Sequence, residues 1–298
     1  MLPPEHDNEV DTPERQAVAQ RTTWVSVAVN LLLTLGQVIT GFVAGSQGLV
    51  ADGIHSLSDL VADFVVLIAN RHSSKDADAD HHYGHYRFET AASFVLGGLL
   101  LAVGAGMVVA AAQKLAHPSS LASVQLVALW VALAALAAKE LLFRYMLAAA
   151  ERIRSSMLIA NAWHARSDAA SSLVVALGIA GNLLGYPILD PVAALIVGFM
   201  VGRMGWDFAW DALHDLMDRA VEPEQVAAIA ERLCGTPGVQ GIHDLRTRKM
   251  GDLIVADVHL EVAADLTVRQ GHDIAVEARR RVVTDLPVLD VLTHVDPV

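Results

Sequence analysis

The first two thirds of the chain alternate between long uncharged stretches and short polar connections. A helix needs roughly 20 apolar residues to cross a bilayer core about 30 Å thick. The uncharged stretches that reach this length are Trp24–Ala44, Thr90–Gln113, Pro118–Ala138 and Ala169–Leu189. Gly48–Asn70 and Pro191–Trp210 also have the length but carry a few charged side chains. The pattern predicts an α-helical membrane protein with six transmembrane helices.

After Asp211 the chain consists of charged segments that are too short to span a membrane. Helical spacing of apolar residues, period-two alternation and turn residues predict elements in the order α-β-β-α-β. They are Pro223–Cys234, His243–Lys249, Ile254–Val262, Val268–Thr284 and Val288–Val295. This order is typical of a small ferredoxin-like α+β domain. We therefore expect an acidic N-terminal tail over residues 1–20, the six-helix domain over 21–212 and a C-terminal domain over 213–298.

Lysine and arginine are distributed unequally between the two sets of connections. One set holds only Lys114, whereas the other holds Arg15, Arg21, Arg71, Lys75, Arg87, Arg144, Arg152, Arg154 and Arg219. Basic residues accumulate on the cytoplasmic side of membrane proteins. We therefore expect both termini in the cytoplasm, with the protein in the cell (inner) membrane.

Composition narrows the possible function classes. Apolar residues make up 54% of the 298 residues and charged ones 18%, which together with the uncharged stretches excludes a wholly soluble chain. The formal net charge of −12 argues against a nucleic-acid partner, which needs a basic surface. The lone cysteine, Cys234, excludes an intramolecular disulfide framework and a multi-cysteine zinc finger.

Polar side chains inside two predicted spans form a regular pattern. Residues on one face of the second span are Asp52, His55, Asp59 and Asp63, and in the fifth span His164 and Asp168 lie one turn apart. A carboxylate within a bilayer is costly and needs a partner. Two imidazoles and two carboxylates suit a tetrahedral divalent cation such as zinc. The two H-x-x-x-D pairs therefore predict one four-ligand metal site, with a buried polar contact between helices as the alternative.

The residues around both pairs carry a family resemblance. The segments A-D-G-I-H-S-L-S-D (Ala51–Asp59) and N-A-W-H-A-R-S-D (Asn161–Asp168) resemble motifs of the cation diffusion facilitator family of metal/proton antiporters. The segments D-A-D-H-H-Y-G-H-Y-R (Asp78–Arg87) and G-I-H-D-L-R-T-R (Gly241–Arg248) support it. The resemblance implies a homodimer that exports a divalent cation in exchange for protons, with the four-ligand site as its transport site.

The same resemblance implies further sites. One is a cytoplasmic loop metal site formed by Asp78, His81 and His85, with His82 left over. Another is a binuclear metal site that braces the dimer, formed by His243, His259, His272, His294 and Asp296. It also implies that Arg87 and Asp218 form a charge pair at the dimer interface. The alternatives are a solvated polar loop, ordinary surface histidines and two unrelated charges.

Zinc is the expected substrate. Part of the family has Asp where this chain has His55, and an imidazole favours zinc over the harder Mn²⁺ and Fe²⁺. Export of Fe²⁺, Cd²⁺, Co²⁺ or Mn²⁺ remains the alternative. Because ligating imidazoles must be neutral and carboxylates ionised, protons compete with the metal for the same atoms. The chain has no G-x-x-x-x-G-K-[ST] segment, which argues against ATP-driven pumping.

We expect a transporter and not an enzyme, with zinc as cargo and as a structural or regulatory ion but with no catalytic cofactor. Two other classes remain open. An intramembrane metallohydrolase would use the metal to activate water, but four protein ligands leave no open position. A membrane-anchored metal sensor would have passive spans, which the polar stripe of the second span disfavours.

Overall fold

The computed structural model of the chain describes residues 13–73, 75, 77–117, 123–152, 156–251 and 253–298. The long helices are α1 Pro13–Ala44, α2 Gln47–Ser73, α3 Arg87–Ala116, α4 Leu126–Arg152, α5 Ser156–Leu183 and α6 Leu189–Leu216. Then follow α7 Pro223–Cys234, β1 Gly241–Met250, β2 Leu253–Val262, α8 Val268–Asp285 and β3 Val288–Pro297. Because α1 begins at Pro13, residues 13–20 of the predicted tail are helical. Residues 1–12 of the predicted tail lie outside the described residues.

Four of the described helices are long and apolar enough to cross a membrane. They are Arg21–Ala44, Arg87–Ala116, Leu126–Arg152 and Leu189–Leu216. The helices α2 and α5 carry the polar residues of the predicted site, which lower their apolar content. The protein is thus an α-helical membrane protein, while the count of six spans stays a prediction.

The predicted fourth span was placed too early in the chain. Pro118–Ala138 was expected because its uncharged run ends at Lys139, but α4 covers Leu126–Arg152. Lys139 does not end the helix, since its side chain is only 3% exposed and lies 3.5 Å from a carboxylate oxygen of Asp52. A helix can therefore extend past a charged residue whose side chain is buried beside a partner, and a search for uncharged stretches ends such a span too early.

The first compact unit comprises the described residues within Met1–Phe64 and Leu99–Gly205. Its helices pack closely at small residues, since a Cβ on Gly53 would lie only 2.6 Å from Val38 Cγ2. The start of α2 is fixed by Asp190 of α6. The Asp190 carboxylate accepts hydrogen bonds from Ser46 Oγ at 2.5 Å, from Gln47 N at 2.7 Å and from Gly48 N at 3.2 Å. The bonds from Gln47 and Gly48 satisfy backbone N–H groups that have no partner within the helix at its N-terminus. All three bonds hold in place the helix that carries His55.

The second compact unit comprises Val65–Gly98 and Trp206–Val298. Its strands form one sheet in the order β1-β2-β3, with β1 antiparallel and β3 parallel to β2. The buried face of β2 consists of Ile254, Ala256, Val258, Leu260 and Val262. The first four of these pack with residues of α7 and α8. The predicted α-β-β-α-β order is confirmed, and α7 has the predicted bounds.

Candidate metal centres

The first unit brings three of the four predicted transport-site residues together. One ligand atom each of His55, Asp59 and Asp168 lies within 4.8 Å of the other two. Spacings of four residues put each pair on one face of its helix, and the packing of α2 with α5 joins the faces. His55 Nδ1 lies 3.6 Å from Asp59 Oδ2, and these side chains are 6% and 17% exposed. The side chain of His164 lies outside the described part of the structure.

Asp52 lies one turn before His55, and its contacts differ from those of a metal ligand. Its carboxylate is fully buried. It accepts hydrogen bonds from Gln37 Nε2, from Ser171 Oγ at 2.7 Å and from Ser172 Oγ at 2.6 Å. Lys139 is the charged partner that the sequence interpretation missed. An intramembrane lysine needs a counter-charge, and that requirement alone could have linked Lys139 with an aspartate.

The predicted loop residues form a second cluster, in the second unit. Asp78 Oδ1 lies 3.4 Å from His81 Nδ1, and Asp78 Oδ2 lies 3.3 Å from His85 Nε2. The backbone amide of His81, and then that of Asp80, donate hydrogen bonds to Asp78 and hold the pKa of this carboxyl below its usual value. An ionised carboxylate beside two imidazoles is a donor set that suits a borderline divalent cation. His82 is exposed and, among the described residues, is not part of the cluster.

Arg87, at the start of α3, contacts Asp218, which follows α6. The Arg87 guanidinium also donates to the carbonyl of Leu216 at 3.4 Å. The pair therefore joins the start of α3 to the residues that follow α6, both within the second unit. Its role at a dimer interface stays a prediction.

Reversing one charge of this pair is expected to reduce transport, and reversing both is expected to restore it. Arg87→Glu places two carboxylates together, whereas Arg87→Glu with Asp218→Arg rebuilds the pair. Because both side chains are well exposed, loss of the ion pair itself should change the unfolding free energy by less than about 1 kcal/mol. The double variant bears an additional backbone cost, since Asp218 has a φ of 60°, a conformation that Asp adopts more readily than Arg. The control is the pair Arg144–Glu140, at 2.8 Å within α4, where reversal should leave transport unchanged. Equal transport by all variants would mean that transport does not depend on the charge pair of Arg87 and Asp218.

The sheet of the C-terminal domain places three histidines in a row. Strand register pairs His243 with His259 and His259 with His294, so their rings lie 4.9 Å and 4.7 Å apart. Asp296 serves all three, since its oxygens lie 3.3 Å from His243 Nε2, 2.8 Å from His259 Nδ1 and 3.3 Å from His294 Nε2. The contact with His259 is the main reason that the pKa of Asp296 is lowered, and the other histidines add to it.

Two residues near this row differ from the sequence interpretation. Glu261 was missed, although period two along β2 puts it on the face of His259. Its Oε1 lies 3.0 Å from His243 Nδ1. Within the described part of the chain, the residues whose ligand atoms all lie within 4.8 Å of one another are His243, His259 and Asp296. His294, which contacts only the other oxygen of Asp296, and His272, which is exposed on α8, are not in this group. The assignment of His272 to the binuclear site stays a prediction.

Two family models together match most of this chain, and relatives match it over almost its whole length. Residues 23–217 match the model of the cation efflux transmembrane domain, and residues 221–298 match that of the cation efflux protein cytoplasmic domain. Metal tolerance protein C1 of Arabidopsis thaliana is 31% identical over 99% of this chain, which spans only 65% of that relative's length. The manganese efflux system protein MneP of Bacillus subtilis is 32% identical over 95% of this chain and 98% of its own. A structure of the transporter CzrB in its zinc form is 32% identical over 27% of this chain and 92% of that chain, with a TM-score of 0.24.

Both family models and the full-length bacterial relative agree with the resemblance of the His–Asp motifs. The chain therefore belongs to the cation diffusion facilitator family of metal cation efflux transporters.

Proposed function

We propose that this protein exports zinc from the cytoplasm in exchange for protons. The observation that carries the proposal is the group of His55, Asp59 and Asp168, whose ligand atoms lie within 4.8 Å of one another inside the helical unit. With His164 one turn before Asp168, the site would offer two imidazoles and two carboxylates. That donor set suits tetrahedral zinc. Membership in a family of transporters favours this function over an intramembrane hydrolase or a membrane-anchored sensor.

The chemistry of the ligands supplies the proton coupling. Zinc requires neutral imidazoles and ionised carboxylates, so metal release allows protons to occupy the same atoms. Histidine ordinarily protonates near pH 6.5, which allows this exchange under physiological conditions. Because α2 and α5 each contribute a pair, movement of these helices as rigid bodies would open the site to one side of the membrane at a time.

The other two clusters support accessory roles. The loop cluster of Asp78, His81 and His85 would bind metal on the cytoplasmic side. The histidine row would hold zinc as a structural or regulatory ion and brace a homodimer. We also propose that both termini lie in the cytoplasm and that the helices lie in the cell (inner) membrane, which the excess of lysine and arginine in one set of connections supports.

Inverted membrane vesicles test the direction and the substrate of transport. Their outer face corresponds to the cytoplasm, so vesicles that contain the protein should accumulate zinc faster than vesicles without it. Excess Mn²⁺ should compete poorly with zinc. Accumulation of Mn²⁺ in preference to zinc would instead support manganese export, the activity for which the relative MneP is named.

His55→Asp is expected to shift selectivity toward harder cations. A carboxylate is a harder donor than an imidazole, so the ratio of zinc to manganese transport should fall by about tenfold, which corresponds to a change of ~1.4 kcal/mol in relative affinity. The measurement is competition between the two metals in inverted vesicles. The control is His72→Asp, because His72 is exposed near the end of α2 and its ring contacts the carbonyl of Ile68. An unchanged ratio in His55→Asp would mean that His55 does not bind the transported metal.

A further inference from the structure

Asp52 is the centre of a buried polar network that the metal site does not use. Its carboxylate is fully buried and receives hydrogen bonds from Gln37 on α1 and from Ser171 and Ser172 on α5. Lys139 on α4 completes the set, with Nζ 3.5 Å from Asp52 Oδ1. Four helices therefore meet at one carboxylate, one turn from His55.

The Lys139 ammonium also contacts the backbone of Asp168, a residue of the proposed transport site. Its Nζ donates a hydrogen bond to the backbone carbonyl of Asp168 at 3.3 Å. Ser171 Oγ lies 2.7 Å from that same carbonyl and 2.7 Å from Asp52 Oδ1. A hydroxyl has only one hydrogen to donate, so Ser171 can serve only one of these oxygens at a time. The ammonium can serve both, because it has three donors.

Stability alone does not explain such a pair. Replacement of a buried ion pair by well-packed apolar residues is often neutral or stabilising, whereas removal of one partner is strongly destabilising.

The surroundings of the Lys139 ammonium are also rich in oxygen atoms. Among the described residues, the buried Oε1 of Gln37 has no hydrogen-bond partner, although the same amide contacts Asp52. Carboxylate, carbonyl and hydroxyl oxygens are the donors that hard cations prefer.

We propose that the Lys139 ammonium occupies a monovalent-cation site as a tethered cation, between Asp52 and the carbonyl of Asp168. In this position it fixes α2 against α5 and thereby orients Asp168 for the transported metal. Lys139 is thus a positioning residue, and it does not bind the transported metal. If its side chain is removed, a small free cation should be able to take the place of the ammonium.

The test compares two neutral variants of the full-length protein. Lys139→Ala removes the ammonium and leaves space for a cation, whereas Lys139→Met removes the charge but fills the space. Each is reconstituted in choline chloride, and Na⁺, K⁺ or methylammonium is then added. The melting temperature and zinc transport are both measured. This proposal about Lys139 is tested by the melting temperature, which does not depend on which metal is transported. The transport measurement also depends on the proposed function, so a failure of one proposal can be distinguished from a failure of the other.

In choline, we expect Lys139→Ala to lose at least about tenfold in transport, because one partner of a buried pair is missing. At least one of the small cations should restore transport to near the wild-type rate. The same cation should raise the melting temperature of this variant by about 2–4 °C, the shift typical of a modest ligand effect in a chain of this size. Lys139→Met and the wild type should respond to none of them.

Two results would overturn the proposal. One is full transport by Lys139→Ala in choline, and the other is a folded Lys139→Ala variant whose melting temperature and transport respond to no cation. If Lys139→Ala does not fold in choline, it is purified in each of the three salts and compared with Lys139→Ala carrying Asp52→Asn, which has no unpaired carboxylate. Folding of Lys139→Ala only with a small cation supports the proposal. If Lys139→Ala fails to fold in every salt, whether or not Asp52→Asn is also present, Lys139 is required for packing and the proposal is overturned.

Discussion

Replacement of Asp59 by alanine is expected to abolish zinc transport while the protein remains folded. Asp59 lies on α2 with His55, and its carboxylate is only 17% exposed. Loss of partners that merely orient metal ligands costs roughly 10–100-fold in affinity or activity, so loss of a ligand should cost more than about 100-fold. The measurement is zinc uptake by proteoliposomes, with the melting temperature as a check on folding.

Ser167→Ala is the matched control for this experiment. Ser167 is exposed and adjoins Asp168, but its hydroxyl donates to the Trp163 carbonyl of its own helix at 3.2 Å. Its replacement should leave transport near the wild-type rate. Zinc flux in Asp59→Ala that equals flux in Ser167→Ala would remove Asp59 from the transport site.

The second large effect concerns the C-terminal domain. The fragment of residues 221–298 contains its own apolar core between α7, α8 and the sheet, and we expect zinc to raise its melting temperature at neutral pH. Zinc at 100 times its dissociation constant would stabilise the folded fragment by ~2.7 kcal/mol. His259→Ala combined with His294→Ala should remove most of this gain in stability. Of the histidine row only His243 would remain, together with the neighbouring carboxylates of Glu261 and Asp296.

The gain should also depend on pH. Zinc ligation needs a neutral imidazole, so stabilisation should be present at neutral pH and decrease below about pH 6. The Asp296 carboxylate does not limit this range, since contact with His259 holds the pKa of Asp296 below its usual value. Cys234→Ser is the control, because Cys234 is an exposed thiol of the same fragment that could bind zinc independently. A wild-type fragment that zinc does not stabilise would mean that these are ordinary surface histidines.

Local patterns predicted much of the fold. Pro223 stands at the first position of α7, and the apolar spacing after it ends before Gly235, so both bounds were predicted as observed. The alternation along β2 similarly identified its buried face. The end of α4 was not predicted, because the charged Lys139 is paired with Asp52, which is far away in the sequence. A single segment cannot show that such a partner exists.

The candidate sites, too, were predicted from the sequence only where local spacing determines them. Spacings of four residues identified His55 with Asp59, but only the packing of α2 with α5 shows that Asp168 lies beside them. In the C-terminal domain, the row of histidines depends on strand register, which pairs His259 with both neighbours. Strand register depends on the whole sheet. The motif resemblance therefore identified the histidines but could not show that three of them are neighbours across the strands.

The most direct test of zinc/proton exchange is zinc flux in proteoliposomes under imposed pH gradients. Zinc should enter vesicles that are acidic inside, as protons leave, and zinc loaded into vesicles should leave when the gradient is reversed. An ionophore that collapses the pH gradient should reduce both fluxes to the level that the zinc gradient alone drives, whereas vesicles that contain Asp59→Ala should show neither flux. Zinc flux that ignores the gradient, or that runs in the same direction as the protons, would contradict antiport.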